Sequence, residues 1–106
     1  MALVVITVPP GDTDEAMYDA VNEKLGGPPE GLLVHTAGRN ENGEFQIVEV
    51  WESKEAHDRF SEGPLWDAIK AVAGERGMDV EASPPPAPRR VMYETHSLMV
   101  RQPEHA

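Results

Sequence analysis

Cysteine is absent from this chain, which rules out disulfides, thiolate metal sites and cysteine nucleophiles together. Basic residues are scarce: nine Lys and Arg stand against nineteen Asp and Glu, a formal charge of −10. An average surface of that sign repels phosphate backbones and anionic lipid. The only adjacent basic pair, Arg89-Arg90, is too small for a nucleic-acid footprint. No apolar run approaches the roughly 20 residues of a membrane span. The start MALVVITVPPG lacks the basic region and the longer apolar stretch of a signal peptide. The expectation is a cytoplasmic protein whose partners include neither nucleic acid nor membrane.

At 106 residues and 40% hydrophobic content, the chain suits one domain over 1–100 with a single modest core, and 101–106 reads as a loose tail. The segment from Glu44 to Ile69 states the architecture most directly. Phe45 to Trp51 is β-branched and aromatic, as a half-buried strand requires. Ser53 follows as an N-cap for a helix that begins Lys54-Glu55-Ala56. Earlier, Leu3 to Val8 is a strand closed by Pro9-Pro10-Gly11. Asp12 with Glu15 resembles a capping box, and Met17, Val21 and Leu25 form one apolar stripe beside Ala16 and Ala20. Leu32 to Ala37 is a second strand. Pro64 suits the first turn of a helix carrying Leu65, Ile69, Val72 and Ala73. After the extended spacer Ser83 to Pro88, Arg90 to Val100 returns to strand chemistry.

Asn42-Gly43 is a strong hairpin signal, since both central positions of a type I′ turn need positive φ. A two-residue loop there would set Thr36 opposite Glu49, Val34 opposite Trp51 and His35 opposite Val50. The order β, α, β, β, α in two pieces, β describes a ferredoxin-like α+β antiparallel sheet with helices on one face. Yet LVVITV and QIVEVW are apolar on nearly both faces, unlike a sheet with one wet side. The second face is therefore expected to pack on the sheet of another copy, giving a homodimer and a dimeric α/β barrel.

The run Glu49-Val50-Trp51-Glu52-Ser53-Lys54-Glu55-Ala56-His57-Asp58-Arg59-Phe60 resembles the strand-to-helix signature of the dimeric α/β-barrel superfamily, in particular the antibiotic-biosynthesis monooxygenase-like proteins. The resemblance covers most of the chain in outline, and Glu49 and Trp51 match the strand pattern. It implies the fold more firmly than any reaction, because the superfamily includes cofactor-free oxygenases, haem degraders, cyclases and isomerases. Phe60 stands where many monooxygenase-like members carry a helix histidine and haem degraders a tryptophan. Ile69 aligns with the haem-ligating histidine of the degraders, and the first strand has no asparagine. Neither Phe60 nor Ile69 can ligate iron or donate a proton, so haem breakdown in that manner is disfavoured.

The candidate acid–base groups are His35, His96 and Glu49. A strand histidine among apolar neighbours would stay neutral and accept a proton from a phenol or enol. The plainer alternative for each histidine is a core residue bonded to backbone. Glu49, flanked by Ile47, Trp51 and Thr36, is the carboxylate expected to be most desolvated, or else a buried glutamate at the subunit interface. In the strand order 4-1-3-2 the second and fourth strands are about 14 Å apart, so His35 and His96 should not pair within one subunit. Tyr18, Trp51, Phe60, Trp66 and Tyr93, with Met17, would line an apolar slot for a flat aromatic molecule, or simply fill the core. His57 reads as a solvated surface residue, and His105 lies in the tail. Metal-ligand spacing, a phosphate-binding glycine loop and a nucleophile elbow are all missing. The functional expectation is a small homodimer that binds a hydrophobic or aromatic molecule and performs cofactor-free oxygenation or proton transfer. The alternatives are a non-catalytic binding or accessory protein and, more remotely, a haem binder using His35 or His96.

Overall fold

A computed structural model describes residues 1–10, 15–84 and 86–101. The elements run β1 (Leu3–Val8), α1 (Glu15–Leu25), β2 (Leu32–Arg39), β3 (Phe45–Trp51), α2 (Lys54–Glu62), α3 (Pro64–Glu75) and β4 (Arg89–Glu94). All strand pairs are antiparallel, in the order β2-β3-β1-β4. This is the ferredoxin-like α+β arrangement. Ser53 takes extended backbone angles and its Oγ accepts from the amide of Ala56 at 3.1 Å, so α2 starts at the cap that its sequence signals. Pro64 opens α3 at once, splitting the helical run at Gly63. The proposed cap at Asp12 lies outside the described residues.

The helices sit on the face of Leu3, Val5, Phe45 and Trp51. There Leu3, Val5, Trp51 and Ala56 form one core cluster, with Leu32 and Phe60 packed against it. Trp51 is wholly buried, and truncating such a side chain typically costs about 3–5 kcal/mol. A second cluster joins Val21 of α1 to Ala68 and Val72 of α3, flanked by Met17, Ala20, Leu25, Leu65 and Ile69. These are the stripes that the helical spacing marks out.

The β2–β3 hairpin departs from the two-residue turn. Arg39 pairs with Phe45 and Asn40 N–H donates to Glu44 O at 2.9 Å, leaving a three-residue loop of Glu41, Asn42 and Gly43. Only Gly43 in this loop has positive φ, at 78°, and Gly43 N–H donates to Asn40 O at 2.9 Å. That is a type I turn closed by a left-handed glycine, not type I′. The Asn40 side-chain oxygen accepts from the amides of Asn42 and Glu44 at 2.9 and 3.0 Å and holds the loop. One extra loop residue slips the pairing by one, and because strand side chains alternate, every β2 residue past the turn changes face. His35 therefore lies opposite Glu49, Thr36 opposite Val48 and Val34 opposite Val50. An irregularity between Leu32 and Val34 shifts the register by one further residue and sets Leu32 opposite Trp51, on the helix side of the sheet.

β4 is shorter than its chemistry suggests and ends at Glu94, opposite Leu3. Among the described residues β1 is its one strand partner and supplies no paired residue before Leu3; Thr95 instead bonds Ala2 O through its amide at 2.9 Å and its hydroxyl at 3.2 Å. By alternation, the sheet face away from the helices carries Val4, Ile6, Val34, Val48, Val50, Val91 and Tyr93. None of these belongs to either core cluster; Val91 and Tyr93 on the edge strand are more than half exposed, whereas Val4 and Val50 at the centre are buried within the chain itself.

Candidate active site

The slipped hairpin brings His35, Glu49 and Trp51 together, and α1 adds Tyr18 to the row. Glu49 on β3 accepts from His35 Nδ1 across the strand pair, Oε2 to Nδ1 at 2.9 Å. Its other oxygen accepts from the Trp51 indole N–H at 3.4 Å. Across from the sheet, the hydroxyl of Tyr18 on α1 bonds His35 Nε2. The Tyr18 and His35 rings lie 5.9 Å apart and nearly coplanar in direction, while Tyr18 meets Phe45 edge-on at 5.1 Å. The Glu49 side chain is 15% exposed and that of His35 29%, and His35 as a whole residue is exposed on β2, so it is not the buried strand histidine its apolar neighbours suggest.

An ionised carboxylate only accepts, so the proton of a neutral His35 sits on Nδ1, facing Glu49. Nε2 is then the lone-pair nitrogen, and Tyr18 donates to it. This tautomer follows from the hydrogen-bond network. A base whose far nitrogen is held by a carboxylate is the arrangement of general-base sites. The contact fixes the direction of the imidazole, and a carboxylate so placed would stabilise an imidazolium if Nε2 took a proton.

The remaining candidates are scattered. His96 lies past the end of β4, exposed, and does not meet His35. Tyr93 is on the outer sheet face, opposite Val4, so it cannot wall a slot beneath the helices. Trp51 and Phe60 rings meet at a tilt of 36° with centroids 5.3 Å apart and Trp51 is core; Trp66 is half-buried on α3, with Lys70 5.9 Å above its ring. His57 is buried, contrary to its reading as a surface residue. It touches the Trp51 ring edge-on at 5.7 Å and bonds Asp58 Oδ1 at 3.0 Å and Ser61 Oγ at 3.2 Å. Lys54 and then His57 hold the Asp58 carboxyl below the usual carboxylate range.

Two clefts open beside the row. One, of about 300 Å³, is lined by Tyr18, Phe45, Ala37, Gly38, Glu15 and Asp19. The other, of about 450 Å³, lies beyond Phe45 between Arg39, Arg89, Glu44 and the prolines Pro9, Pro10 and Pro86. Neither His35 nor Glu49 lines either cleft; of the row, Tyr18 alone reaches the smaller one. Among the described residues no three His, Asp or Glu side chains converge to hold a metal ion, and no helix is long and apolar enough to cross a membrane.

The His35–Glu49 contact was hidden in the sequence by the loop length. The signal that could have found it is Asn40, whose side chain favours a turn starting one residue before Glu41-Asn42-Gly43.

No protein-family model and no curated protein matches this sequence. Solved structures do. An antibiotic biosynthesis monooxygenase candidate from Caulobacter crescentus superposes with a TM-score of 0.59 at 19% identity, covering 91% of this chain and 90% of that one. SnoaB, a cofactor-independent oxygenase from Streptomyces nogalater, gives 0.54 at 12% identity over 94% and 96%. A dimeric ferredoxin-like protein of unknown function from Thermobifida fusca gives 0.56 at 14% over 90% and 92%. The chain thus has the fold of the antibiotic-biosynthesis monooxygenase-like proteins across nearly its whole length. At these identities the likeness is one of fold.

Proposed function

We propose that residues 1–100 form one domain that binds a small, hydrophobic or aromatic molecule and removes a proton from it, as the entry step to cofactor-free oxygenation. The single observation behind this reading is the 2.9 Å contact that holds His35 in one tautomer against Glu49. His35 is the base and Glu49 its positioning partner, with Tyr18 and Phe45 beside the ligand. Deprotonating a phenol or enol raises its electron density enough to react directly with dioxygen, so the electrons come from the ligand itself. His96, far from the row, acts only if a second subunit brings a cleft to it. The homodimer is part of the proposal: the outer sheet face is apolar from Val4 to Tyr93, and a second copy offers the same surface by two-fold symmetry. A cytoplasmic setting fits the acidic, cysteine-free chain.

The test is oxygen consumption with a polycyclic aromatic quinol. His35→Ala should lower turnover by about 10²–10⁴-fold with the circular dichroism spectrum retained, and His96→Ala should not. Equal turnover in wild type and His35→Ala would remove the reading. One observation favours a second reading, a non-catalytic binding or accessory protein: among the described residues every buried side-chain nitrogen and oxygen has a protein partner, as in a filled core that fixes strand register. Saturable quinol binding without oxygen uptake would select it.

A further inference from the structure

The hydrogen-bonded row does not end at His35. Neutral His35 offers Nε2 as an acceptor, and that position is taken by the Tyr18 hydroxyl. The cleft of about 300 Å³ is walled by Tyr18 and not by His35. With its proton directed at Nε2, the Tyr18 oxygen still has lone pairs to accept another hydrogen bond.

We infer that Tyr18 is the catalytic residue that exchanges a proton with the ligand, while His35 and Glu49 stand behind it as its base and the base's support. This rests on the acid–base reading above and changes which atom touches the ligand. In the step, an O–H or acidic C–H of the ligand gives its proton to Tyr18 Oη as the phenolic proton of Tyr18 passes to His35 Nε2. The products are a ligand anion and an imidazolium that donates to both Tyr18 and Glu49. No net charge is created, and the reverse transfer restores the resting state.

The same wall defines the ligand's class. Glu15 and Asp19 line the cleft, and of the two Glu15 is paired, with Arg39 Nε at 3.0 Å. Two carboxylates at the wall disfavour a ligand that arrives as an anion. Phe45 and Ala37 suit an aromatic or alicyclic ring. The ligand is therefore neutral on entry, planar in part, and weakly acidic: a phenol, an enol or a ketone with an acidic α-hydrogen.

The probe is α-tetralone, a neutral bicyclic aryl ketone, whose α-hydrogens exchange in deuterium oxide by proton transfer alone and without oxygen. Wild type should accelerate this exchange beyond free imidazole at equal concentration. Tyr18→Phe keeps the ring contact with Phe45 and removes only the hydroxyl. It should lose about 10²–10⁴-fold in the rate constant with KM little changed, while nitrogen NMR still shows His35 protonated on Nδ1. His35→Gln should lose a similar factor. Exchange by Tyr18→Phe at the wild-type rate or faster would mean that His35 touches the ligand itself; the inference then fails and the acid–base reading survives. A wild type no better than imidazole also overturns the inference, and quinol oxidation then judges the broader reading separately.

Discussion

Among single residues, Glu49 is the most economical in its contacts, since each oxygen has its own donor in His35 and Trp51. Glu49→Ala should leave His35 free to turn and reduce any proton-transfer activity about a hundredfold. It should also destabilise the fold by about 1 kcal/mol through the lost bonds, read as a shift in the urea midpoint. Asp58 sets a different test. Its carboxyl is held below the ordinary range by Lys54 and His57, so its ionised form is favoured more in the folded than in the unfolded chain. That contribution is present above the unfolded pKa of an aspartate, about 4, and is lost as pH falls through the lower folded value. The melting temperatures of wild type and Asp58→Ala should differ at neutral pH and converge in acid. A difference that stays constant down to full protonation would show that Asp58 does not act through its charge. Burial of His57 against Trp51 was not legible, because it stands beside the charged Asp58 in a largely polar helix and only the packing of α2 onto β3 covers it.

At the scale of elements, most of the architecture could be read from the chain. β1, β3, the Ser53 cap and the Pro64 helix start fall where propensity and capping chemistry put them, since each depends on residues within one turn or strand. What local chemistry could not settle was the count of residues in the β2–β3 loop, and the candidate site hinges on that count. With two loop residues His35 would face away from Glu49; with three it meets it. Gly43→Ala tests this loop directly. Its φ of 78° costs a side-chain-bearing residue about 1–2 kcal/mol, and the urea midpoint should fall accordingly. Gly31 is more constrained: φ is 89° and an added Cβ would come within 2.7 Å of the Ala56 Cβ on α2. Gly31→Ala combines backbone strain with overpacking, and about 3 kcal/mol of destabilisation is expected. A stability within error of wild type would contradict the close approach of α2 to this turn. The overlong reading of β4 has a comparable origin, because a strand's length depends on its partner, and β1 begins only at Leu3.

For the whole molecule, the outer sheet face sets the expected assembly. Val91 and Tyr93 are 59% and 53% exposed on an edge strand, and Met99, beyond it, is 91% exposed. Light scattering at micromolar concentration should give twice the 11.6 kDa chain mass. Tyr93→Asp, which puts a charge into that apolar face, should shift the population toward the monomer; a wild-type monomer would exclude a dimer built on this face. Fold class and the two-faced character of the sheet were visible in the strand composition, whereas the joining of Tyr18 to His35 needed the packing angle of α1, which no periodicity encodes.

The cluster between α1 and α3 contains no sheet residue, whereas α2 shares its cluster with β1 and β3. Amide protons of α1 and α3 should accordingly exchange as a cooperative unit at lower protection than those of β1 and β3. On the sheet side α1 is tied by the Tyr18 hydroxyl to His35 and by Glu15 to Arg39, so loosening those two ties should lower the protection of the α1–α3 layer while the stiffer layer keeps its own.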